Sequence, residues 1–216
     1  MIPPKTQIRP EGLNAIAMAV LLTLVSALNG WGFMSVAGLV LTGFVFNFFR
    51  DPERVVPDDP EVAVAPADGK VVKTGTMTDP FTGQSRKTVC VFMNVFNVHV
   101  NRMPVTGNIE AIKYFPGKFI NASLDKASKD NERCAWLVRD EQGRNWTMVQ
   151  IAGLVARRIV CLAEKGDVLK RGERYGLIKF GSRVDLYLPE GYESDVSVGE
   201  KVVAGQTILA RKSKEL

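Results

Sequence analysis

Three residue types that cooperate in acyl chemistry stand at separate points of this chain: a serine behind a glycine at Gly181-Ser182, the single histidine His99, and the aspartate Asp68. A serine hydroxyl can attack the carbonyl just before it. A glycine in front leaves that carbonyl unhindered and lets the backbone adopt the strained geometry the attack needs. The Gly181–Ser182 bond, inside Ile178-Lys179-Phe180-Gly181-Ser182-Arg183-Val184-Asp185, is therefore a candidate for self-cleavage, although Gly-Ser is also an ordinary turn before a strand. His99 lies in Asn97-Val98-His99-Val100-Asn101. If Val98 and Val100 face one side of a strand, then Asn97, His99 and Asn101 face the other, as a polar cleft or a solvated face. Asp68, in Pro66-Ala67-Asp68-Gly69-Lys70, equally suits a turn. Together the three make a nucleophile, a base and a group to orient the base. Sequence gives their types and not their distances.

The elements that must position them differ sharply along the chain. After a polar lead over residues 1–12 with Lys5 and Arg9, residues 13–49 carry no charge and form two apolar runs split at Asn29-Gly30. Each run approaches the roughly 17 to 25 residues that span hydrocarbon. The reading is a helical membrane hairpin, spanning or re-entrant, against the alternatives of a buried core hairpin and a cleaved signal peptide. Basic residues at both ends, Lys5 and Arg9 before and Arg50 and Arg54 after, place both ends on the cytoplasmic side. Residues 50–60 hold three prolines and read as a linker. From residue 61 to 216 short β runs dominate: Val62–Ala65, Lys70–Lys73, Thr88–Met93, Val98–Asn101, Asn108–Tyr114, Ala135–Val138 and Trp146–Ala152. Asp79–Gly83 and Asp140–Gly143 suit hairpin loops, and Ala122–Arg133 is a polar, weakly helical segment able to close over a site.

A glycine pattern repeats near the C-terminus. Gly166-x-x-Leu169-x-x-Gly172-x-x-Tyr175 matches Gly199-x-x-Val202-x-x-Gly205-x-x-Ile208, with Gly181-Ser182 between the copies. Similar spacing occurs in biotinyl- and lipoyl-carrier domains. The expected fold is mainly β (α+β), a sandwich or barrel-like catalytic domain with biotinyl-like glycine repeats behind an apolar hairpin. A net charge of +5 suits an anionic bilayer better than nucleic acid, because no basic stripe interleaved with aromatics occurs. One histidine and three cysteines (Cys90, Cys134, Cys161) without paired spacing argue against a metal site and a zinc peptidase. Each cysteine sits in an apolar run where a buried thiol is the default, which suits a reducing compartment. A non-catalytic carrier is the other class considered, but a carrier needs an exposed lysine between its repeats, and Gly181-Ser182-Arg183 stands there.

Four motifs in order, Phe48-Phe49-Arg50-Asp51-Pro52-Glu53-Arg54, Pro66-Ala67-Asp68-Gly69-Lys70-Val71, Phe96-Asn97-Val98-His99-Val100-Asn101-Arg102 and Phe180-Gly181-Ser182-Arg183-Val184-Asp185, resemble the short bacterial and archaeal form of phosphatidylserine decarboxylase. The resemblance implies a proenzyme that cuts itself between residues 181 and 182 into a large β subunit (1–181) and a small α subunit (182–216), with Asp68, His99 and Ser182 as the self-cleavage triad. It implies that Ser182 becomes a covalent pyruvoyl cofactor, which decarboxylates phosphatidylserine to phosphatidylethanolamine through a Schiff base; the basic flanks of the hairpin put the catalytic domain on the cytoplasmic side of the cell membrane. The expected partners are the phosphatidylserine substrate, the bilayer and the β/α heterodimer, open to higher homo-oligomers. Long-form relatives carry a second histidine three residues before the triad histidine. Here that position is Phe96, which leaves His99 as the candidate proton donor.

Overall fold

A computed structural model describes residues 6–154, 158–179 and 181–213; Lys5 of the basic flank and Phe180 of the last motif lie outside them. The chain divides into two compact units with the boundary between Glu53 and Arg54. In the first, strand β1 (Thr6–Ile8) pairs antiparallel with β2 (Arg50–Pro52), and helices α1 (Leu13–Leu28) and α2 (Gly32–Phe48) form a hairpin between them. Small residues bring the helices together. A Cβ on Gly38 would lie 2.7 Å from Thr23 Oγ1, and the hydroxyls of Thr23 and Thr42 hydrogen-bond at 3.1 Å. This is how helices associate where apolar contact alone gives no preference. A soluble core hairpin would bury its apolar residues, whereas Leu21, Leu22, Leu28, Phe33, Leu39 and Val40 stay exposed. Residues 10–28 form one helical stretch long and apolar enough to cross a membrane; α2, at 17 residues, is shorter.

The second unit runs through β3 (Val62–Val64), β4 (Gly69–Thr78), β5 (Ser85–Met93), β6 (Val100–Arg102), β7 (Gly107–Phe115), the one-turn helix α3 (Ala127–Asp130), β8 (Arg133–Asp140) and β9 (Asn145–Ala152). It continues through β10 (Ile159–Cys161), β11 (Val168–Leu169), β12 (Arg174–Ile178), β13 (Ser182–Tyr187), β14 (Tyr192–Ser194), β15 (Lys201–Val202) and β16 (Ile208–Lys212). An antiparallel eight-stranded sheet, ordered β11-β7-β8-β9-β13-β5-β4-β15, curls into a half-barrel, flanked by β10-β12-β6 and β14-β16-β3. The mainly-β expectation holds, with strands at 41% and helix at 20%. The loops read at Asp79–Gly83 and Asp140–Gly143 join β4 to β5 and β8 to β9.

Strand alternation explains the core. On β13, Val184 and Leu186 point into the main cluster with Trp136, Trp146 and Met148, while Tyr187 packs on the opposite face with Ile151 and Val149. With both faces covered, β13 is central, and every residue of it is buried.

Two expectations need correction. The strand read from Val98 begins only at Val100, because the side chains of Asn94 and Asn97 take the local amides: Asn97 Oδ1 accepts the Asn94 N–H at 2.9 Å, and Asn94 Oδ1 accepts that of Phe96 at 2.9 Å. These bonds hold a turn where β pairing was expected, so His99 precedes the strand. Cys161, expected to be buried, is exposed on the edge strand β10.

The glycine repeat is matched by a partner repeat that the sequence shows only faintly, Ala65-Pro66-Ala67-Asp68-Gly69-Lys70-Val71 against Met103-Pro104-Val105-Thr106-Gly107-Asn108-Ile109. The two halves bond alike. β15 pairs with Gly69-Lys70 as β11 pairs with Gly107-Asn108, and the amides of Gly199 and Gly205 reach Val71 O and Ala65 O as those of Gly166 and Gly172 reach Ile109 O and Met103 O. Across the pseudo-twofold, Val64 N donates to Pro104 O and Arg102 N to Pro66 O.

Candidate active site

Ser182 opens β13. Its register places it opposite Met93 of β5 and Ala152 of β9, with no exposed surface. Its hydroxyl donates to the Met93 thioether at 3.8 Å, a weak bond that is easily exchanged. Gly181 before it has φ +67° with open space where a Cβ would stand, a conformation that favours glycine. The chain can thus turn sharply into the strand with the Gly181 carbonyl beside the serine.

His99 is 2% exposed and reaches this turn from the segment just before β6. Its Nε2 accepts the N–H of Gly181 at 3.1 Å and its Nδ1 lies 2.9 Å from the Asn97 carbonyl. Those two partners require the neutral ring with its proton on Nδ1, which leaves Nε2 as the basic atom one residue from Ser182. The backbone holds His99 as well, since Ile178 N donates to His99 O at 3.3 Å. His99 and the Gly181-Ser182 pair, 82 residues apart in sequence, are therefore one site.

Asp68 sits in the turn between β3 and β4. One carboxylate oxygen accepts Ala204 N at 2.8 Å and the other pairs with the Arg54 guanidinium at 2.8 Å. The first bond has a counterpart across the pseudo-twofold, where Thr106 Oγ1 accepts Arg171 N at 3.1 Å. Part of what Asp68 does is thus turn capping, the reading its Asp-Gly context offered. The charge and Arg54 have no counterpart at Thr106.

Of the polar chain behind Ser182, sequence reasoning pointed only to Asn101. Met93 Sδ also accepts Asn101 Nδ2 at 3.6 Å, Asn101 Oδ1 accepts Gln150 Nε2 at 2.8 Å, and Gln150 Oε1 accepts Trp136 Nε1 at 2.9 Å. Asn101, Gln150 and Trp136 are fully buried, so these bonds satisfy groups that would otherwise be costly. On the opposite face of β13, Arg183 and Asp185 form a fully buried ion pair, Nε to Oδ1 at 2.5 Å, and the Arg183 guanidinium also touches Cys90 Sγ at 3.0 Å. Burial pushes the Asp185 carboxyl up, and Arg183 opposes that shift. Phe96, in place of the second histidine of long-form relatives, is exposed.

The mainly-β domain thus brings a strand-opening serine, a left-handed glycine and the histidine together at one site. The sequence model of the phosphatidylserine decarboxylase family matches residues 41–210. The chain is 62% identical to the phosphatidylserine decarboxylase proenzyme of Nitratidesulfovibrio vulgaris, over 98% of each chain. It is 59% identical to that of Oleidesulfovibrio alaskensis, over 96% of this chain and 95% of the relative, and 50% identical to that of Burkholderia lata, over 96% and 97%. The chain belongs to the phosphatidylserine decarboxylase family, which are carboxy-lyases. That membership displaces the carrier and zinc-peptidase alternatives.

Proposed function

We propose that the chain is a proenzyme that cuts itself at Gly181–Ser182 and then, as a two-chain enzyme at the cytoplasmic face of the cell membrane, decarboxylates phosphatidylserine to phosphatidylethanolamine. The observation that carries this reading is the contact of His99 Nε2 with the Gly181 amide beside a buried serine at the head of a strand. In maturation Nε2 releases the Gly181 N–H and takes the proton of Ser182 Oγ, which turns from the Met93 sulfur to the Gly181 carbonyl carbon. The C–O bond of an ester forms as the peptide C–N bond breaks, and the proton passes to the new amine. Loss of the Ser182 α-proton with the Gly181 carboxylate leaves a dehydroalanine. Its imine tautomer is hydrolysed, water entering and ammonia leaving. Asp68 is the acidic member that the resemblance implies, but its carboxylate is held by Ala204 N and Arg54, and it is the Asn97 carbonyl that orients the His99 ring.

Ser182 fits the precursor of a pyruvoyl group, since it heads a strand whose ladder on both sides fixes the new terminus. That group supplies a ketone electrophile absent from the standard side chains, able to condense with the amine of the serine headgroup and take up the electron pair left as carbon dioxide departs. His99, the single histidine, is the group placed to take up a proton on Nε2 and deliver it to the former carboxylate carbon. The exposed apolar hairpin suits a substrate whose acyl chains stay in the bilayer at about 0.8 kcal/mol per methylene.

Intact mass under denaturing conditions tests this. The expected result is two chains split at residues 181 and 182, the smaller lighter than its sequence by one ammonia, and a Ser182→Ala chain that stays whole and inactive. An uncut chain that decarboxylates the lipid would sink the scheme.

A further inference from the structure

The carbonyl of Gly181 rests against the backbone of Gly153. A Cβ on Gly153 would stand 2.2 Å from the Gly181 carbonyl oxygen and 3.0 Å from its carbon, with the Ala122 methyl next at 3.5 Å. The atoms it would strike are backbone and not the tip of a side chain that could swing aside. Gly153 does not occupy the left-handed region, so its backbone is open to any residue. What excludes a side chain there is the carbonyl alone, the close approach for which glycine is used.

Neither partner is free to retreat. Gly153 follows Ala152, whose N–H donates to Glu132 O at 2.9 Å and whose carbonyl accepts Asn131 Nδ2 at 2.7 Å. The fully buried Asn131 side chain also bonds the Ile120 N–H at 3.2 Å and the Ile120 carbonyl at 2.7 Å, clamping the end of β9 to the segment before α3. From the other side, the Gly181 N–H is held by His99. The residue whose carbonyl is to be attacked is thus gripped at its amide and seated at its carbonyl.

We infer that Gly153 is a positioning residue for chain scission: its bare Cα is the seat that sets the Gly181 carbonyl within reach of Ser182 Oγ. The inference rests on the self-cleavage reading above. Displacing a reacting group by about 1 Å can cost about 100-fold in rate, so Gly153→Ala should slow scission at least about tenfold while the fold persists.

The experiment follows splitting of wild type and G153A by intact mass from the start of cell-free synthesis, and compares the melting of two uncut chains, S182A and G153A/S182A. Expected are slow splitting of G153A, equal melting of the uncut pair within a few degrees, and an unsplit G153A chain that resists hydroxylamine. Hydroxylamine attacks the Gly181 carbonyl of an ester and frees the Ser182 hydroxyl, so resistance places the block before ester formation. G153A splitting at the wild-type rate would overturn the Gly153 role and leave self-cleavage standing. So would accumulation of a hydroxylamine-sensitive ester, which puts the block after attack, or collapse of G153A/S182A alone, which would mean that β9 itself needs the glycine. A wild-type chain that never splits would instead overturn the reading beneath it.

Discussion

Asp68 and Thr106 occupy the same place in two copies of one turn, and each accepts the amide that precedes a repeat glycine. That equivalence separates structure from chemistry at a single residue. Thr106→Ala removes a capping bond and should lower stability by about 1 kcal/mol with scission unchanged. Asp68→Ala removes the same bond and also the carboxylate paired with Arg54; it should cost about 2 kcal/mol and slow scission as well. Chemical denaturation and intact mass report the two effects independently, and an Asp68→Ala chain that splits normally would assign the residue to the turn alone. A second residue-scale prediction concerns the thiols. Cys134 Sγ and Cys161 Sγ lie 3.8 Å apart, and their contact draws the exposed Cys161 thiol down to about 7, while burial pushes Cys90 up. Alkylation of the native protein should modify Cys161 first, half-maximal near pH 7, and reach Cys90 and Cys134 only on unfolding. Peptide mapping after timed labelling reads this, and modification of Cys90 first would contradict it.

At the scale of elements, the two hairpin loops share a device. Asp79 accepts the N–H groups of Phe81 and Thr82, the Thr147 hydroxyl and Arg86, and Asp140 accepts Trp146 Nε1 and Arg144. Burial raises both carboxyls, the bonds to the ionised form outweigh it, and both end below their ordinary value. A group whose folded pKa is depressed stabilises the fold above its unfolded pKa, and that contribution is lost as pH falls through the folded value. Stability should therefore drop in acid below about pH 4, and Asp79→Asn and Asp140→Asn should each flatten that limb of a denaturation-versus-pH curve. On β13, Arg183→Met would strand the buried Asp185 charge at about 3 to 5 kcal/mol, measured as a fall in the denaturant midpoint of the uncut Ser182→Ala chain. These loops were legible because Asp, Pro and Gly punctuate apolar alternation. Much of the site was legible as types, since Gly181, Ser182 and His99 stood out singly. Their meeting was not, because β6, β12 and β13 are brought together by pairings between strands far apart in sequence. The Asn94–Asn97 turn was hidden by valines that read as strand, and the capping of Asp68 depended on a partner repeat of which only the prolines and glycines coincide.

For the whole molecule, the exposed apolar residues of α1 and α2 predict bilayer binding that salt does not reverse. The full chain should float with anionic vesicles in high salt, and lysines in place of Leu21 and Leu22 should release it. The position of β13 carries a different consequence. The stretch from 182 onward supplies a central strand between β5 and β9, the edge strand β15 beside β4, and β16 between β3 and β14. With residues 181 and 182 no longer joined, as the proposed scission requires, the native protein would be an arrangement that its own pieces find only by meeting in solution. The uncut Ser182→Ala chain should refold at a rate independent of concentration, whereas the matured enzyme, once unfolded, should recover more slowly as it is diluted. Its lifetime is then governed by how seldom it opens rather than by how readily it forms again. Under the proposed scission each molecule folds unaided once, and the cut makes that event unrepeatable.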